Sequence, residues 1–236
     1  MIGISSLRPL LLLLPLLFLS ACSEDDPVEP IDFGSSPVTF VHANPGRGGD
    51  VVSFFRNDTV SLGAPIGYKN NLLTTVPNGT SRKYTVKAGD GTTLRTKVGG
   101  HDSSEVATVV YAGNATTNDL FVLETTKVKP AGDNAALRFV HASKSATRRE
   151  LRIGGPNGAP IADIGYGEAS NAYVTAPATS TTSLWVVDEL IDPDKSSREF
   201  PVSLTGGKSY TIIFIGNDSA LVDNLKWDLL VLEDPE

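Results

Sequence analysis

Cysteine is almost missing from this chain: Cys22 stands alone among 236 residues. No intramolecular disulfide and no thiolate metal cage can form, so stability has to come from packing. Helical periodicity is missing as well, because no stretch of ten residues keeps apolar side chains at helical spacing. Basic charge is scarce, with 20 lysines and arginines against 27 aspartates and glutamates, a net charge of −7 and no basic stripe. That balance argues against a nucleic-acid backbone as partner. Beyond Cys22 no apolar run approaches the roughly 20 residues that a helix needs to cross a bilayer. Catalytic patterns are absent too. No G-x-S-x-G elbow occurs, and the three histidines show no H-x-H or H-x-x-x-H spacing.

What is present begins with a leader. Arg8 is followed by a leucine-dominated run from Pro9 to Leu19 and by the small residues Ser20 and Ala21. This order is that of a signal peptide, and a run near 11 residues broken by Pro15 is too short to span. Leu19-Ser20-Ala21-Cys22 resembles the lipobox of bacterial lipoproteins, which implies cleavage before Cys22, acylation of that cysteine and an anchor in the membrane. Ser23-Glu24-Asp25-Asp26 reads as the start of a solvated acidic tether with Pro27, Pro30 and Gly34. The same tetrapeptide resembles the export signal that carries Bacteroidetes lipoproteins to the outer face of the outer membrane. Residues 23 to 37 reach up to about 50 Å when extended.

From Val38 onward short runs of Val, Thr, Ile, Phe and Tyr alternate with Gly, Asn, Asp and Pro, a β texture whose turn spacing suggests a sandwich or barrel. One phrase occurs twice. Phe40-Val41-His42-Ala43-Asn44 returns as Phe139-Val140-His141-Ala142-Ser143, 99 residues later. Ile66-Gly67-Tyr68 returns as Ile164-Gly165-Tyr166, and Val109 to Asn114 returns as Ile212 to Asn217. A repeat of this length means tandem domains. The expected fold is all-β: two tandem immunoglobulin-like or transthyretin-like antiparallel β-sandwiches. The expected boundaries are a signal peptide at 1–21, the lipidated cysteine and tether at 22–36, a first sandwich at 37–128, a linker at 129–134 and a second sandwich at 135–236. Alternation places Val38, Phe40 and His42 on one strand face, with Leu137, Phe139 and His141 likewise, and turns Arg138 to the other side.

The F-V-H-A-[NS] phrase, the I-G-Y segment and Leu204 to Thr211 leading into an apolar strand and Leu230 to Asp234 together resemble the bacterial domain of unknown function 4397. The resemblance covers roughly residues 38–126 and 136–234 and is closer in the second copy. It implies a β-sandwich in the cell envelope and brings no catalytic residue and no cofactor.

The candidates for chemistry are few. His42 and His141 have no ligating neighbour in sequence and read as structural groups at strand ends, while His101 lies in a glycine-rich turn. Gly206-Gly207-Lys208-Ser209 lacks the remaining glycine and the helix of a phosphate loop and reads as a hairpin turn. Asp188, Glu189, Asp192 and Asp194 read as a solvated hairpin tip rather than a calcium loop. Trp185 and Trp227 could offer sugar-stacking platforms, although aromatic residues in strands more often fill cores. Asp58-Thr59-Val60 and Asp218-Ser219-Ala220 fit the loose Bacteroidetes pattern for O-glycosylation, which makes Thr59 and Ser219 candidates. Between Asn217 and Leu230 the last connection takes 13 steps where Asn114 to Phe121 takes 7, so Leu221, Val222 and Trp227 mark a candidate binding loop. The expectation is a non-enzymatic surface lipoprotein with no cofactor and no metal, anchored to the outer membrane through Cys22. Its role would be to bind a glycan or an envelope protein, with an envelope spacer or a hydrolase of unrecognised site as alternatives.

Overall fold

The computed structural model describes residues 34–188, 197–217 and 223–235, and residues 33–236 form one compact unit. The first repeat contains β1 (Ser35–His42), β2 (Val51–Arg56), β3 (Val60–Ser61), β4 (Ile66–Gly67), β5 (Asn71–Pro77), β6 (Gly79–Ala88), β7 (Thr93–His101), β8 (Glu105–Gly113) and β9 (Asn118–Thr126). The second contains β10 (Asn134–His141), β11 (Arg148–Ile153), β12 (Ala159–Gly165), β13 (Val174–Pro177), β14 (Thr182–Val187), β15 (Arg198–Val202), β16 (Ser209–Ile215) and β17 (Asp228–Glu233). Two short 3-10 turns, Pro45–Arg47 and Asp223–Leu225, are the only helical elements among the described residues.

Four sheets result. In the first repeat β5-β1-β8-β9 faces β3-β2-β6-β7, and in the second β13-β10-β16-β17 faces β12-β11-β14-β15. The all-β sandwich class expected from the sequence is the one observed. One pairing in each repeat differs from the antiparallel rule: β1 runs parallel to β8, and β10 runs parallel to β16. A parallel neighbour requires a long crossover, and here the chain makes it by building the whole outer sheet before it returns.

Each sandwich has its own core. Phe40, Phe54, Tyr84, Val109 and Tyr111 fill the first, with the Phe40 and Phe54 rings 5.0 Å apart. Phe139, Leu151, Leu184, Ile212 and Phe214 fill the second. A third apolar cluster joins the two, made of Val41, Ala43, Val110 and Ala112 from the first repeat and Val140, Ala142, Ile213 and Ile215 from the second. Odd and even positions of the same strands therefore enter different cores. Outer strands such as β2 alternate buried and accessible residues, whereas β8 from Val106 onward and β16 from Tyr210 onward are buried at every position. A strand covered on both faces loses its alternation and reads as one apolar run.

The seam between the inner sheets is nearly symmetric. Asp119, opposite Ala112, accepts bonds from Lys144 Nζ at 2.8 Å and Tyr166 Oη at 2.8 Å. Asp228, at the matching place opposite Ile215, accepts one from Lys69 Nζ at 2.7 Å. Arg138 also belongs to this seam. The face to which alternation turns it is not solvent: the residue is fully buried, and none of its guanidinium nitrogens makes a hydrogen bond of good geometry among the described residues. Burial holds its pKa below the usual arginine value, while the nearby Tyr173 and Asp234 favour its charge.

Candidate functional site

The two ends of this unit differ. Val38 lies beside Ala107 and Glu105 opposite Thr126, so the entry of the chain into β1, the β7–β8 turn and the connection between repeats share one end. The opposite end collects the segments 43–50, 113–118, 142–147, 216–217 and 223–227. It is this far end that the repeated phrase builds.

Each histidine of the phrase closes the first turn beyond its strand. His42 Nδ1 accepts the Asn44 N–H at 3.4 Å, and His141 Nδ1 accepts the Ser143 N–H at 3.3 Å. Both rings are fully buried against aromatic neighbours, His42 on Tyr111 at 5.3 Å and His141 on Phe214 at 5.3 Å. Burial drives the His42 pKa down to about 4, against a partial upward pull from the carbonyls of Arg47 and Asp50. Burial, with Arg149 and Arg148 nearby, drives that of His141 down to about 3. Both imidazoles are neutral at neutral pH and closed to solvent, so neither is placed to act as an accessible base. Among the described residues no three His, Cys, Asp or Glu side chains converge to hold a metal ion.

The last residue of the phrase ties loops together. Asn44 Nδ2 lies 3.3 Å from Ala112 O, 3.4 Å from Thr117 O and 3.3 Å from Asn118 Oδ1, while its Oδ1 accepts the Gly46 N–H at 2.9 Å. Ser143 Oγ donates to Gly216 O at 2.7 Å, and a parallel bridge between Gly113 and Ser143 crosses from one repeat to the other. Gly48 packs where a Cβ would stand 2.3 Å from Leu225 Cδ2, so the loops of both repeats touch. Asn114 Oδ1 accepts the N–H groups of Thr116 and Thr117, each at 3.0 Å. The outer surface of this cluster is small and polar, with Gly49, Asp50, Ala115, Thr116, Ser145 and Thr147 exposed, and Arg47 paired with Asp50 at 3.2 Å. Such a surface can recognise a polar partner through hydrogen bonds on a pinned backbone.

The candidate residues from the sequence scatter. Trp227 turns toward the second core: its ring meets Phe214 at 5.5 Å, the Arg149 guanidinium lies 4.8 Å over it, and its N–H donates to Ser145 Oγ at 3.0 Å. Trp185 joins none of the three cores and sits on the outer face opposite Arg152 and Glu199. Thr59 is exposed at the β2–β3 turn, where Asn57 and Asp58 take positive φ and Asp58 pairs with Lys83 and accepts Thr85 Oγ1 at 2.5 Å. Cys22, Ser219, Leu221 and Val222 lie outside the described residues, as do Glu189, Asp192 and Asp194. Asp188 is held by Arg149 at 2.7 Å. His101 is the last residue of β7 rather than part of an open turn, and it is buried beside Tyr84 Oη. Gly207, at φ 77°, lies in the tight turn that enters β16.

No protein-family model matches the chain, so the resemblance to the domain of unknown function 4397 rests on the quoted residues. No curated protein matches it either. Among solved structures, a candidate cell adhesion protein from Bacteroides uniformis overlaps with a TM-score of 0.25 at 10% identity, covering 87% of this chain and 98% of that one. A fimbrial assembly protein from Parabacteroides distasonis gives 0.20 at 13%, covering 86% and 100%. The tip fimbrial protein Mfa3 from Porphyromonas gingivalis gives 0.23 at 10%, covering 85% and 100%. Overlap this slight carries no argument about the role of the chain.

Proposed function

We propose that the chain is a lipoprotein of the bacterial outer membrane, held through Cys22, that acts at the cell surface as a non-catalytic binding or adhesion module for a glycan or an envelope protein. The observation that carries this reading is the far-end cluster at the end opposite the entry of the chain, where Asn44 and Asn114 pin the loops of the first repeat, Ser143 pins those of the second, and the Gly113–Ser143 bridge joins the two. These loops lie at the end of the folded unit farthest from the start of β1, where the tether would join it. Thr59, exposed beside Asp58, is the described hydroxyl that would carry an O-linked glycan. The resemblance to the domain of unknown function 4397 agrees with an envelope location.

The test uses cells that display the full chain, probed with glycan arrays and with envelope proteins from the same membrane. Binding should fall when Arg47 and Asp50 are both replaced by Ala, with surface level unchanged, and should move to the medium or disappear with Cys22→Ala. A chain that binds nothing in either screen is a spacer. Turnover of a glycan or ester at a carboxylate-dependent pH optimum would make it a hydrolase.

A further inference from the structure

A different place on the molecule has an unfinished sheet. In the second repeat β17 is the last strand of its inner sheet, and a groove of about 340 Å³ runs beside it, lined by Phe200, Pro201 and Val202 of β15 and by Leu229, Leu230 and Val231 of β17. The register settles which way the backbone of β17 points. Tyr210 lies opposite Glu233, and Asp234 N donates to Ser209 O at 2.9 Å, so Asp228, Leu230 and Leu232 bond to β16. The backbone groups of Leu229, Val231 and Glu233 therefore face away from the sheet. The Leu229 N–H is taken by the Asp228 carboxylate at 2.9 Å. The N–H and C=O groups of Val231 and Glu233 and the Leu229 C=O look outward. Side chains of Leu229 and Val231 lie against the second core and are only half-buried.

The first repeat provides the control within the same chain. Its edge strand β9 is covered by β7, which runs nine residues against five in β15. There Gly99 comes so close that a Cβ would stand 2.5 Å from Val122 Cγ1, and the Gly100 N–H donates to Glu124 Oε1 at 3.2 Å. Natural edges are usually blunted by charge, proline or a bulge. Here β15 is blunted by Pro201, but the stretch from Leu229 to Leu232 in β17 has no charge, no proline and no break in register.

We propose that β17 is a docking edge for an extended segment of a partner protein, which adds as a further strand of the inner sheet and fills the groove with alternate apolar side chains. The outward groups of Val231 and Glu233 supply the ladder bonds, and Leu229, Val231 and Phe200 supply the apolar floor. The preferred segment alternates small or β-branched apolar residues with uncharged polar ones, since the groove is apolar on one side and open to water on the other. This edge is separate from the far-end loops, so either reading can fail without the other.

The test uses the mature chain and a fluorescein-labelled peptide of alternating threonine and valine, with the same peptide N-methylated at alternate amides as control. Anisotropy should show saturable binding of the first and none of the second. Val231→Pro removes only an outward N–H, which an edge strand tolerates, and should weaken the peptide by about tenfold or more while the melting temperature stays near that of the parent. Amide exchange read by NMR gives a second measure that needs no variant. Val231 and Glu233 should exchange fast in the free chain and slow when the peptide is added, with Leu230 and Leu232 slow throughout. Slow exchange at Val231 and Glu233 in the free chain, equal binding by Val231→Pro, or equal binding of the N-methylated peptide would overturn the proposal, as would failure of the unmodified peptide to bind at all.

Discussion

In the first repeat β5 pairs with β1 from Asn71 to Pro77, while in the second β13 pairs with β10 only from Val174 to Pro177. The remainder of β10 is finished by a loop, with Ser170 donating to Phe139 and Gly167 to His141. The seam shows a similar inequality. Tyr166 donates to Asp119, but Tyr68 in the matching position has a buried hydroxyl with no hydrogen-bond partner among the described residues. Both repeats put the same phrase on the same doubly buried strand, and they diverge where their edges and polar groups meet the surroundings. The difference teaches that the duplication preserves the apolar strand faces of the seam rather than its polar contacts or each repeat's rim.

The largest expected effect comes from breaking the seam itself. Val140 is fully buried between the inner sheets, and Val140→Asp sets a carboxylate there without a partner. Stability should drop by more than about 4 kcal/mol, and both sandwiches should unfold together. Two separate thermal transitions in this variant would show that each repeat stands without the other.

Next in size is the effect of acid on the repeated histidines. Each is neutral and buried in the folded chain and has a pKa near 6.5 once unfolded. The unfolded state therefore binds more protons, so stability is full above pH 6.5 and falls as pH drops toward about 4 for His42 and about 3 for His141. The His42 share is on the order of 3 kcal/mol over that window. Denaturation curves at stepped pH should show the slope, and His42→Gln should flatten its upper part. An unchanged slope in that variant would mean that carboxylates alone set the acid limit.

The smallest effect separates the two tyrosines. Tyr166→Phe removes a donor to Asp119 and should cost about 1 to 2 kcal/mol. Tyr68→Phe removes a buried hydroxyl that has no hydrogen-bond partner and should be neutral or slightly stabilising. Equal losses in urea titrations would mean that the two halves of the seam are satisfied alike.

Much of the strand pattern was legible in the sequence. Runs rich in β-branched and aromatic residues at 38–43, 50–55 and 105–112 coincide with β1, β2 and β8, and those at 149–153, 182–188 and 208–215 coincide with β11, β14 and β16. The signals were β-branched runs and turn residues such as Asp90-Gly91, where Gly91 takes φ 86°. The seam had a readable trace as well, because Val106 to Ala112 and Tyr210 to Ile215 carry apolar residues at both odd and even positions. The trace said that both faces are covered and could not say by what. Trp227 looked like a recognition residue because its loop is longer than the matching one, and its ring instead packs on Phe214. Loop length is local, whereas the direction of a ring depends on a distant strand.

The residues by themselves determine an all-β chain of two related halves, because alternation, turn chemistry and an internal repeat are properties of neighbours along the backbone. Only the tertiary structure decides that β1 runs parallel to β8, that Arg138 lies buried and that β7 packs over β9 while, among the described residues, a groove runs beside β17. Those outcomes depend on which sheet stands against which. Burial of a face is set jointly by two surfaces that meet only once the chain has folded, and a strand's own residues record that it is covered but carry no mark of its partner.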